Sequence, residues 1–89
     1  MAVGVEGVDA DRPIVAFAEK DDGDLKVSSR GTPTLVRRGL DLSVVMSEGA
    51  ASVEGEGGGH DVAAGATIPG GTRRAFLDAA DGIVGEQLG

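Results

Sequence analysis

Two short segments carry the residue types able to grip an anion. Ser28-Ser29-Arg30 offers a hydroxyl and a guanidinium two residues apart. That spacing puts both on one face of an extended strand. The arginine fork matches phosphate or carboxylate oxygens in two parallel hydrogen bonds. Further along, Gly57-Gly58-Gly59-His60-Asp61-Val62-Ala63-Ala64-Gly65 opens with three successive glycines. Without Cβ atoms, several backbone N–H groups of such a loop can turn toward one anion, and His60 adds a donor at its rim.

Other catalytic signatures fail. Neither lysine follows a glycine, so a nucleotide P-loop is excluded, and His60 stands where a dinucleotide fingerprint needs its third glycine. A G-x-S-x-G elbow is absent. Asp21, Asp22 and Asp24 do not have the spacing of a calcium loop, and a turn accounts for them.

The elements that must position these residues follow from the pattern. Residues 14–19 are apolar on both alternating faces and read as a strand covered on both sides. Lys20-Asp21-Asp22-Gly23-Asp24 reads as a turn, so residues 25–30 return as a hairpin partner. On that second strand Leu25, Val27 and Ser29 face one way and Lys26, Ser28 and Arg30 the other. Gly31, Pro33 and Gly39 mark a loop bearing Arg37 and Arg38. Asp41 caps a helix with Leu42, Val45, Met46, Gly49, Ala50 and Val53 as its apolar stripe.

Residues 54–59 stop that helix, and 62–68 form a short strand of mainly Ala and Gly. Thr72 caps a last helix with Phe76, Ala80, Ile83, Val84 and Leu88 inward. The expectation is an α/β domain with a small mixed sheet, order β-β-α-β-α, and helices packed on the sheet. A right-handed crossover sets its third strand parallel to the second. Residues 1–12 read as a linker or the end of a preceding element, and 13–89 as the domain.

Composition bounds the function. The 89 residues hold 16 glycines, two aromatics (Phe17, Phe76), one His and no Cys, enough for one modest core and for neither a disulfide nor a thiolate metal site. A formal charge of −7 argues against a broad basic grip on nucleic acid. Yet residues 25–47 hold Lys26, Arg30, Arg37 and Arg38 against Asp41 alone, a local +3 inside an acidic envelope. Few lysines among many acids fit a protein of concentrated salt. With apolar runs far short of the ~20 residues of a span, the chain reads as cytoplasmic.

With Ser-x-Arg on a strand, then a helix, then Gly-Gly-Gly-His followed by Ala-Ala-Gly and a strand, roughly residues 13–88 resemble the C-terminal, DHH-associated domain of the DHH phosphoesterases. The likeness is greatest to the RecJ-like single-strand exonucleases. The resemblance implies a parent whose separate N-terminal DHH domain holds manganese (or magnesium) in Asp and His clusters and hydrolyses phosphodiester bonds. It implies substrate contacts at Ser28, Arg30, Gly57, Gly58, Gly59 and His60, with Ala63, Ala64 and Gly65 shaping the strand beside them. The implied partners are that catalytic domain and single-stranded nucleic acid or a short oligonucleotide. An oligoribonuclease, a cyclic-dinucleotide phosphodiesterase and a non-catalytic replication or repair scaffold are the alternatives within reach of the same resemblance. Two positions depart from the family pattern: Asp61 stands where Pro often follows the His, and Gly31 where Ser often follows the Arg.

Overall fold

The hairpin closes as its turn chemistry requires. The Asp24 amide donates to Asp22 Oδ1 at 3.0 Å, and Lys20 N donates to the Asp24 carbonyl at 2.8 Å. It joins β2 (Ile14–Glu19) to β3 (Leu25–Arg30), the two strands expected, paired from Ile14 opposite Arg30 to Glu19 opposite Leu25. The computed structural model describes residues 3–6 and 13–89, with side chains from 13 onward. The expected linker at 1–12 lies outside the described residues except at β1 (Val3–Glu6), whose backbone pairs antiparallel with β2.

After β3, Thr32 and Pro33 build a short helix where a loop was expected. Thr32 Oγ1 accepts the Leu35 amide at 3.1 Å and Pro33 takes the first helical position, giving α1 (Pro33–Arg37). Helix α2 (Leu42–Ala51) starts at the expected cap: Asp41 Oδ1 accepts from Ser43 N at 3.0 Å. Its stripe of Leu42, Val45, Met46, Gly49 and Ala50 is buried as expected. Glu54, at φ 64°, then turns the chain left-handed into β4 (Glu56–Gly59), followed by β5 (Ala63–Ile68) and α3 (Arg73–Leu88). Thr72 precedes α3 without capping it as expected, because its hydroxyl donates back to the Pro69 carbonyl at 2.6 Å.

The α/β class holds, with the helices on one face of a five-stranded sheet of order β1-β2-β3-β5-β4. Two expectations change. The strand at 62–68 is antiparallel to β3, because the crossover from β3 delivers the chain first to β4. Since β3 and β4 are each antiparallel to β5, they run parallel to one another, and β5 folds back between them. Four residues of Glu and Gly have little intrinsic strand preference, so β4 left no pattern to read. Second, β2 is covered on one side only. Its Ile14 is 42% exposed, on the face that no helix covers among the described residues.

The core lies between sheet and helices: Phe17, Val27, Ala66 and Ile68 from the strands meet Leu35, Leu40, Leu42, Val45, Met46, Ala50, Phe76 and Ala80. The two phenylalanines meet edge to face, with centroids 6.0 Å apart at 90°, and tie β2 to α3. Arg73 lies 4.7 Å over the Phe17 ring, so it caps this contact rather than standing free in solvent. Phe76→Ala should cost about 3–5 kcal/mol, a large part of the ~5–15 kcal/mol that holds a small domain together. Urea unfolding followed by circular dichroism would read this as a markedly lower midpoint.

Candidate functional site

Strand alternation sorts the nine candidate residues onto two faces. Val27, Ala66 and Ile68 point into the core, so their neighbours Lys26, Ser28 and Arg30 on β3 and Ala63, Gly65 and Thr67 on β5 share the open face. Register builds three rows across it. Arg30 pairs with Ala63, and His60 N donates to the Ala63 carbonyl at 2.8 Å. Ser28 pairs with Gly65, which pairs with Gly58. Lys26 pairs with Thr67, which pairs with Glu56. Strands about 4.8 Å apart set the Arg30 and His60 backbones roughly 10 Å from each other. Arg30 lines the depression over this face, whereas His60 and Gly59 do not.

The glycine run is an edge strand rather than a loop, so its amides alternate instead of converging. With His60 bonded to Ala63, the alternation turns Gly58 toward Gly65 and the Gly57 and Gly59 amides away from β5. The three glycines also have different physical reasons. A Cβ at Gly57 would stand 2.4 Å from the Met46 carbonyl oxygen on α2. Gly59 has φ 144°, and a Cβ there would stand 2.6 Å from Ala64 Cα. A Cβ at Gly58 would meet nothing within 4 Å. Packing thus explains Gly57 and Gly59 and leaves Gly58, on the open face beside Gly65, as a glycine that no neighbour requires.

Ala64 belongs to the other side. It packs against the core opposite Ser29, whose buried hydroxyl donates to the Ala64 carbonyl at 2.8 Å. Ser29 is a structural serine, and its exposed neighbour Ser28 is the one free to meet solvent. Two further bonds fix the end of the face. Gly31 N donates to the Val62 carbonyl at 2.8 Å, and Leu42 N to the Asp61 carbonyl at 2.9 Å. They hold the β4–β5 turn, and with it His60, against the residue after Arg30. Only chain folding brings these partners together, and no motif marks them in the sequence.

The resulting depression is shallow and open, about 650 Å³, lined by Lys26, Ser28, Arg30, Glu56, Gly58, Ala63, Gly65 and Thr67 among others. A groove of about 710 Å³ on the helix side is lined instead by apolar residues such as Val15, Val45, Leu77 and Val84. It holds none of the nine candidates. The local positive charge also divides. Lys26 and Arg30 stand on the open face, Arg37 bonds Thr34 Oγ1 at 3.3 Å, and Arg38 borders the apolar groove.

Among the described residues no three His, Cys, Asp or Glu side chains gather to hold a metal ion. No helix of the described residues is long and apolar enough to cross a membrane.

The open face thus carries Ser28 and Arg30 on β3 beside the glycine edge of β4. The DHHA1 domain matches residues 6–86, and the chain belongs to the DHHA1 domain family, which accompanies phosphoesterases of the DHH class. An uncharacterized protein of Methanocaldococcus jannaschii is 46% identical over 79 residues, covering 88% of this chain. The chain spans 18% of the length of that relative.

Alanine at the two glycines separates packing from ligand space. Gly59→Ala should lose about 1–3 kcal/mol of stability through its left-handed backbone. Gly58→Ala should stay within about 0.5 kcal/mol of the parent or gain slightly. Thermal melts of both variants check this; equal losses would contradict the placement of β4.

Proposed function

We propose that this domain binds the phosphate end of a nucleic-acid strand for the catalytic domain of a DHH-family phosphoesterase. In this reading the parent is a RecJ-like, manganese-dependent exonuclease acting 5′ to 3′ on single strands in the cytoplasm. The observation that carries the proposal is the juxtaposition of Arg30 and Ser28 with the bare backbone of Gly58 and Gly65 on an uncovered sheet face.

The chemistry favours phosphate over base. Arg30 offers a fork of donors, Ser28 a hydroxyl, and His60 a ring donor at the end of the Arg30 row. Stacking on aromatics supports most single-strand binders, but Phe17 and Phe76 are both buried and the chain has no Tyr or Trp. Recognition is then independent of base identity. A handful of charge-assisted bonds at roughly 1.5–3 kcal/mol each gives millimolar to high-micromolar affinity. Such weak capture suits a domain that holds the end of a strand while a neighbouring active site cuts and the strand advances.

Amide chemical shifts during titration with 5′-phosphorylated oligothymidylate test the site. Shifts should concentrate at residues 28–30, 58–60 and 63–65. Arg30→Ala should weaken binding about tenfold or more, while Arg38→Ala, on the other side of the sheet, should leave it unchanged. Shifts confined to the helix-side groove would refute the placement.

A further inference from the structure

Lys26 stands four residues before Arg30 on the same face of β3, with Ser28 midway between them. A rise of about 3.4 Å per residue spaces these three side chains at intervals of about 6.8 Å along the strand. The backbone of a single-stranded nucleic acid repeats every six covalent bonds. In a staggered chain, bonds of roughly 1.5 Å give at most about 7 Å between successive phosphates. The two repeats match when the strand is fully extended.

Lys26 is exposed, as are Ser28 and Arg30, and among the described residues neither the Lys26 nor the Arg30 side chain forms an ion pair or hydrogen bond. The surface beside them is low. Ala16 and Ala18 flank β3 on one side, and Ala63, Gly65 and Thr67 on the other. Among the described residues, a strand lying along β3 meets no bulky side chain until Ile14 at the Arg30 end. Glu56 shares the Lys26 row two strands away, roughly 10 Å off. Its carboxylate repels a polyanion that drifts toward β4 and keeps the path over β3 and β5.

We infer that β3 is a three-phosphate track, with Arg30 taking the terminal phosphate, Ser28 the second and Lys26 the third. The domain then selects a linear single strand of at least three phosphates over a mononucleotide. This rests on the phosphate-binding reading of the same face and extends it by a residue and by a minimum ligand length.

Binding of 5′-phosphorylated thymidylates of one, two, three and four nucleotides, measured by titration calorimetry or chemical shift, tests the track. Affinity should climb through three phosphates and then level off. Lys26→Ala should weaken the trinucleotide roughly fivefold to tenfold, leave the mononucleotide unchanged, and lower the slope of log K against log salt by about 0.7. Glu56→Gln should strengthen the trinucleotide. Tripolyphosphate, whose phosphates are joined through one oxygen and sit only about 3 Å apart, should not depend on Lys26.

If Lys26→Ala leaves the trinucleotide unchanged, or weakens mononucleotide and trinucleotide alike, the track is overturned. A mononucleotide still weakened by Arg30→Ala would then show the phosphate site standing without it. Equal dependence of tripolyphosphate and trinucleotide on Lys26 would also overturn the track. If Arg30→Ala changes neither nucleotide, the phosphate site and the track fall together.

Discussion

Three hydrogen bonds around one tight turn hold the rest of the site in place. The amides of Gly31 and Leu42 donate to the carbonyls of Val62 and Asp61, and Ser29 Oγ donates to the Ala64 carbonyl. Each joins the β3–α1–α2 segment to the β4–β5 hairpin, across as many as 35 residues of chain, and pairs backbone groups that would otherwise be left unpaired. With these bonds made, Arg30 and His60 end in the same row of the sheet. Gly31 fits because a Cβ there would stand 2.7 Å from Leu40 Cδ2. A serine at that position would need the leucine to move, a local reason for this departure from the family pattern.

The same strands serve two masters through the period of two. On β3, Leu25, Val27 and Ser29 build and tie the core while Lys26, Ser28 and Arg30 face outward. On β5, Ala64, Ala66 and Ile68 pack inward while Ala63, Gly65 and Thr67 stay on the open side. One uninterrupted stretch therefore contributes both to stability and to the proposed contacts. The small residues have correspondingly different meanings. Gly57 and Gly59 answer to α2 and β5, whereas Gly58 and Gly65 keep the outer surface low.

Charge is arranged to suit this division. The chain carries −7 overall, which opposes indiscriminate coating by nucleic acid. Among the described residues, the Lys26 and Arg30 side chains have no ion-pair partner and stand on a face that no helix covers, a local exception. In the proposed function this combination gives weak capture of one strand end, with the bond-breaking chemistry supplied by a catalytic domain of the parent.

Much of this was legible from residue order. The 14–30 hairpin came from alternation and turn chemistry, α2 from its Asp41 cap and apolar stripe, and α3 from its apolar spacing, because these are local interactions with local signatures. The pairing of Ser28 with Arg30 on one face followed from period two alone. Residue order left β4 unread, since Glu-Gly-Gly-Gly has no strand preference and becomes a strand only by pairing with β5 under α2. It also left the direction of β5 open, because that direction depends on the unread strand before it. Which glycines pack and which lie bare, and which candidates share a face, depends on register between segments distant in sequence. Those contacts exist only in the folded chain.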